Sequence, residues 1–186
     1  MSKFKVERVK FRPQILLCPQ IPKPMHGTAP RVVLGQQWWD LTRREAYRST
    51  SYHCLACGIN QGECPERRLL EGHELYDIQY AIGRLNYIET VPLCHYCHNY
   101  IHAGRTMALM EQGVYTARKA AAIMNHGDKV LFEAGLSKLP PYTGPMAWWG
   151  DWRLVVFGQL YEPIYKTEAE WKAHYGGLES RELHAD

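Results

Sequence analysis

Four cysteines in two C-x2-C pairs, Cys54-Leu55-Ala56-Cys57 and Cys94-His95-Tyr96-Cys97, constrain this chain more than any other feature. Each knuckle of this spacing turns two sulfurs toward one ion, and two knuckles supply the four thiolates of a tetrahedral structural zinc. Whatever else the chain does, it must bring residues 54–57 and 94–97 together. The second knuckle runs directly into His98-Asn99-Tyr100-Ile101-His102, an H-x3-H pattern. Histidines four apart on a helix face the same side and can grip a second metal. One short segment therefore offers ligands to two metals, one structural and one of catalytic type.

The bulk properties permit this reading without adding much to it. A chain of 186 residues with 46% hydrophobic content is sized for one domain with extensions. The net charge of +3 allows a nucleic-acid partner. More telling is the local run Arg43, Arg44 and Arg48 before the first knuckle, a candidate phosphate-binding face. Arg67 and Arg68 lie in the segment between the knuckles. No apolar run of about 18 residues exists to span a membrane. Met1-Ser2-Lys3-Phe4-Lys5 does not resemble the start of a secretory leader, so a cytoplasmic location is expected. In that compartment six cysteines are metal ligands or thiols rather than disulfides. Cys18, in the apolar stretch Ile15-Leu16-Leu17-Cys18, reads as a small buried hydrophobe, and Cys64 as a stray thiol.

Local patterns divide the chain into three parts. Residues 1–39 form an arm in which Pro13, Pro19, Pro22, Pro24 and Pro30 exclude long helices and central strands, leaving irregular or β structure. Residues 40–105 form the zinc-binding core. There, Asp40 is placed to cap a helix over 41–50, and Gly58 suits the tight turn of the first knuckle. Segments 74–80 and 85–91 read as a hairpin turning at 81–84. A helix from Cys97 to Ala103 should stop at Gly104. Residues 106–186 form a helical extension with a strand. Its expected helices cover 105–112, 116–125 and 128–134, the last closed by Gly135. A strand over 152–157 follows the bend Pro140–Pro145, and the box Thr167-Glu168-Ala169-Glu170 starts a final helix reaching Tyr175. The fold class is α+β.

The order C-x2-C, then Gly72-His73-Glu74-Leu75, then a strand pair, then Leu93 through His102 resembles the HNH (ββα-metal) nucleases with an embedded zinc knuckle. It is similar also to HNH-like proteins of tailed phages, which carry an element like Leu70-Glu71-Gly72-His73-Glu74. The resemblance covers roughly residues 40–105. It implies a ββα core with Cys54, Cys57, Cys94 and Cys97 on structural Zn2+, and His73, His98 and His102 on a catalytic Mg2+, Mn2+ or second Zn2+. The activity implied is metal-dependent hydrolysis of DNA phosphodiester bonds. Glu74 stands where the family has its general-base histidine, and Glu89 where it has an orienting asparagine. In another register His73 itself is the base, and the metal loses one ligand. A chain lacking the base histidine also fits a second class, a catalytically inactive zinc scaffold that binds DNA or a protein, as in phage assembly or anti-defence. If phage-encoded, it would act in the host cytoplasm.

Other residues near the site have plainer readings. His95, between the knuckle cysteines, is expected to face solvent, and His53 to lie on the surface. Glu71 and Asp77 are candidate carboxylates to hold a ligand histidine in one tautomer. The tryptophans are expected mainly to pack. One member each of Trp38-Trp39 and Trp148-Trp149 is left for a protein partner that would use the aromatic-rich terminal segments.

Overall fold

The structure is a computed structural model and describes residues 9–175. It is α+β, with one four-stranded sheet and, among the described residues, six α-helices. The sheet is built on the hairpin of β1 (Leu70–Gln79) and β2 (Arg84–Cys94). Both strands are longer than the alternating pattern suggests, because apolar Leu70, Val91 and Leu93 extend them down to the second knuckle. The tight connection carries Gly83 at φ 65°, a left-handed conformation that glycine adopts at no steric cost. Between Leu75 and Tyr76 the register slips, leaving Ile88 bulged and largely exposed. β3 (Arg153–Val156) joins β2 in parallel, and β4 (Gln159–Tyr161) closes the edge antiparallel to β3.

The helices correct several sequence expectations. The arm from residue 9 to 34 contains no strand: it folds as two short 3-10 turns followed by α1 (Pro30–Val33). Asp40 is not a cap. The next helix, α2 (Gly35–Ser49), begins earlier, and Asp40 sits inside it, accepting hydrogen bonds from Gln36 and Arg43. Those partners one turn away satisfy the carboxylate, so nothing forces a start at residue 40.

After Cys94 the chain enters α3 (His95–Ile101), with Cys94 Sγ accepting from the Cys97 N–H at 3.4 Å as the cap. The break expected at Gly104 falls at His102 instead, and Gly104 lies in the first turn of α4 (Ala103–Glu111). At the break, the Asn99 carbonyl is taken by the hydroxyl of fully buried Thr106, at 2.9 Å. A side chain here supplies the partner that a glycine turn would have supplied.

The two helices expected over 116–125 and 128–134 are one, α5 (Ala117–Glu133), capped by Thr116, whose Oγ1 accepts from the Lys119 N–H, and ended by Gly135 at φ 67°. The final helix, α6 (Glu168–Tyr175), starts at the expected box: the Glu170 N–H donates to Thr167 Oγ1, and the Glu170 carboxylate accepts from the Lys166 N–H.

Two apolar cores hold these elements. The larger surrounds the cysteines and gathers Ile15 and Leu16 from the arm, Val91 and Leu93 from β2, Tyr100 from α3, and Ile123 and Leu131 from α5. The smaller joins Met25 to Leu85, Trp152, Leu154 and Val156. Gly127 sets the close approach of α5 to α3. A Cβ there would lie 2.1 Å from the Tyr100 ring, so the ring occupies the space a side chain would need. By helix propensity alone, alanine at this position would stabilise α5 by about 1 kcal/mol. The steric conflict should win. Gly127→Ala is expected to destabilise the protein by about 2 kcal/mol, read as a melting temperature lower by roughly 5 °C. A melting temperature at or above that of the unaltered protein would show that α5 stands farther from α3.

Candidate metal centres

The first knuckle is a short loop after α2, held by hydrogen bonds from the Cys54 N–H to Ile59 O and from the Gly58 N–H to Cys54 O, both 2.9 Å. Gly58, at φ 78°, makes the turn. The Leu55 N–H donates to Pro92 O, which stitches the loop to β2 just before the second knuckle. Cys54, Cys57, Cys94 and Cys97 consequently meet, with their sulfurs all within 4.8 Å of one another. Cys57 and Cys94 are 3.8 Å apart. Tetrahedral bonds of 2.3 Å put sulfurs roughly 3.8 Å apart, so the group has the dimensions of a four-thiolate zinc site.

The electrostatics say the same. Hydrogen bonds from Cys57, Cys94 and Cys97 drive the Cys54 thiol far below its usual pKa, while Cys94 and Cys97 are pushed far above theirs chiefly by their hydrogen bonds with Cys54 and Cys57. Four sulfurs in this space cannot all ionise against one another, and a divalent cation removes that conflict. Cys64 is not a member. It is buried, donates to Asn60 O, and burial pushes its thiol up to about 12.

The second group is His73, His98 and His102, whose candidate nitrogens also lie within 4.8 Å of one another. β1 presents His73, α3 presents His98, and the break between α3 and α4 presents His102. The three rings stand edge to face, with centroids 4.8–5.3 Å apart. Burial, then the neighbouring His98, holds His73 well below its usual pKa, and the same causes bring His102 down to about 3. Both imidazoles are therefore neutral at pH 7, the form that binds metal. His98 Nδ1 lies 2.5 Å from Glu71 Oε2, a close contact without hydrogen-bond alignment, which leaves Nε2 for an ion. Three nitrogen donors with the remaining positions open is the donor set of a catalytic rather than a structural site.

Glu71 also reaches the other centre. Its Oε1 lies 2.7 Å from His95 Nδ1. Burial works to raise the Glu71 carboxyl, but the bonds from His95 and His98 win and keep it ionised. His95 thus does not face solvent as expected. It is 3% exposed, turned from the first position of α3 toward Glu71 and toward the Tyr115 hydroxyl, 3.3 Å from Nε2. Asp77 plays no comparable part; it accepts from Gln79 and Asn86 away from the histidines.

A cleft of about 590 Å³ opens over the histidines. His73, His98, His102, Glu71 and Glu74 line it from the core, and Arg31 and Arg105 from α1 and α4. Glu74, next to His73 in β1, belongs to the opposite face of the strand. Its Oε2 is 3.6 Å from Arg31, its Oε1 is buried without a partner, and burial raises its pKa. Glu89 lies outside the cleft, ion-paired with Arg12 at 2.7 Å.

The arginines singled out in the sequence are elsewhere. Arg43 pairs with Asp40, Arg48 pairs with Glu45 on the surface, and Arg44 is exposed. None of the three lines the cleft. The guanidinium groups that do, Arg31 and Arg105, had no sequence signal: one sits among the prolines of the arm and the other three residues past the H-x3-H pattern. His53 spends its ring on the carbonyls of Thr50 and Ser51. Trp38 and Trp39 share α2 rather than an extended strand. Trp39 covers Gly72, and Trp38 stacks edge-on with Tyr87. Trp148 is 85% exposed, while Trp149 donates to Tyr165 O. Among the described residues no helix is long and apolar enough to cross a membrane. Comparison with protein-family models, curated proteins and solved structures finds no match to this chain.

Two separable metal sites make a direct prediction. Native protein should carry two divalent ions per chain by elemental analysis. His98→Ala with His102→Ala should lose one ion and keep its secondary structure. Cys97→Ser should lose the structural ion and unfold, because at such a site metal binding free energy is folding free energy. A folded, stable Cys97→Ser protein with full zinc would refute the four-thiolate assignment.

Proposed function

We propose that this protein is an HNH-like endonuclease that hydrolyses DNA phosphodiester bonds, with Cys54, Cys57, Cys94 and Cys97 on a structural zinc and His73, His98 and His102 on a catalytic ion. The observation that carries the reading is the meeting of three histidines in a cleft that two arginines also line. His73, His98 and His102 would hold a divalent ion, which when bound would supply Lewis acidity toward a phosphate ester. Arg31 and Arg105 are placed to hold the other phosphate oxygens as charge-assisted donors. Glu74, which lines the same cleft, is the candidate to take a proton from water, and its burial moves it toward the pKa range of a useful base. Glu71 holds the His98 ring in one orientation. Contact with the backbone alone would suffice, so binding should weaken with salt.

A second reading, a zinc scaffold without catalysis that binds DNA or a protein, is favoured by one observation. Glu74 is engaged by Arg31 and Glu89 by Arg12, so neither carboxylate is free at the histidines as the structure stands. Plasmid nicking with Mg2+ or Mn2+ separates the two. Nicking is expected from the unaltered protein and should vanish in His98→Ala. Glu74→Gln should slow it roughly 10²-fold if Glu74 is the base. Protein that binds DNA yet never nicks it with any divalent ion would establish the scaffold.

A further inference from the structure

The four-cysteine site has a neighbour that no spacing rule connects to it. His126, on α5 and 29 residues beyond Cys97, brings Nε2 to 3.4 Å from Cys97 Sγ and 4.0 Å from Cys94 Sγ. The four sulfurs already complete a tetrahedron, so the contact suits an N–H···S hydrogen bond rather than a fifth metal bond. Its ring is held edge-on against Tyr96, with centroids 5.7 Å apart. The next two residues lock the approach. Gly127 leaves room for the Tyr100 ring, and Asp128 accepts from the Tyr100 hydroxyl at 2.7 Å while pairing with Lys138 at 2.8 Å. His126-Gly127-Asp128 thus clasps the helix that carries Cys97, with the imidazole on the sulfur side.

The chemistry gives this contact a use. Zinc with four thiolates carries a net charge of about −2, and Cys54, Cys94 and Cys97 are buried with it. Buried charge is costly unless hydrogen-bonded. The Cys97 N–H serves Cys94 Sγ. Among the side chains, His126 is the donor that reaches Cys97 Sγ from outside the four cysteines. We infer that His126 is a functional part of the zinc site: an imidazole whose Nε2–H donates to the Cys97 thiolate and so retains the metal. It is a positioning residue for the ion, and the inference is independent of whether the histidine cleft cuts DNA.

The test uses the zinc-loaded full chain and a chromogenic pyridylazo chelator that takes zinc away. His126→Phe keeps a ring against Tyr96 and loses the donor; it should release zinc roughly 10-fold faster or more, the usual cost of removing such a partner. His126→Gln keeps an N–H donor and should stay within about threefold of the unaltered protein on that scale. Tyr100→Phe breaks the Asp128 contact without touching sulfur, so it should lower the melting temperature and leave zinc release unchanged. Substitution with Co2+ adds a spectroscopic check. All three should give four-sulfur spectra, with the sulfur-to-metal band of His126→Phe moved to longer wavelength, since an unbonded thiolate is easier to oxidise. Equal zinc release from His126→Phe and the unaltered protein overturns the inference. So does Tyr100→Phe releasing zinc as fast as His126→Phe, which would make helix contact the cause. A three-sulfur, one-nitrogen cobalt spectrum of the unaltered protein would also overturn it, by making His126 a ligand. Should His126→Phe fail to fold, the glutamine variant decides: retention near the original rate supports the inference, and roughly 10-fold faster release sinks it.

Discussion

Four sulfurs gathered within 4.8 Å of one another organise this molecule. They join a loop after α2 to the junction of β2 and α3, and the larger apolar core is arranged around them. The arm reaches that core through Ile15 and Leu16, and α5 through Ile123 and Leu131. Each of these segments buries its apolar face against residues beside the four cysteines. A cation held there would do what a disulfide or a larger core would do in another chain of this size.

The same junction builds the second centre. β2 and α3 deliver the sulfurs of Cys94 and Cys97, and the next residue of α3 is His98, with His102 at the break that follows. β1 is paired in register so that Glu71 stands opposite Leu93 and His73 opposite Val91. Both side chains fall on the face that α3 covers. Glu71 then holds His95 with one oxygen and His98 with the other. His95 lies between the two knuckle cysteines, so a single ionised carboxylate links the sulfur site to the histidine site.

The charge placed at the cleft is economical. Arg31 comes from the arm and Arg105 from α4, on either side of the histidines, and Arg31 also faces Glu74. An anion bound there would compete with Glu74 for the Arg31 guanidinium. The arm is thereby part of the site as well as a cover for the core, a role that its proline content alone does not suggest.

The four cysteines and His98 with His102 were legible in the sequence as candidate ligands because their spacing is local, whereas His73 entered only through the resemblance. C-x2-C and H-x3-H describe what a knuckle or a helix turn can present, and the hairpin that brings them together follows from alternating apolar residues around a glycine turn. Helix ends were less legible. Asp40 and Gly104 carry terminal signals, yet Asp40 finds partners within α2, and a threonine two residues past Gly104 takes the carbonyl that ends α3 early. What remained hidden are pairings between distant segments: Arg31 at the cleft, Glu71 bridging two histidines, and His126 on Cys97 Sγ. Periodicity reports which face of an element is apolar. It does not report which element will lie against that face. In this protein the second question was decided by close packing, by Gly127 yielding its place to Tyr100 and by buried polar groups each needing a partner.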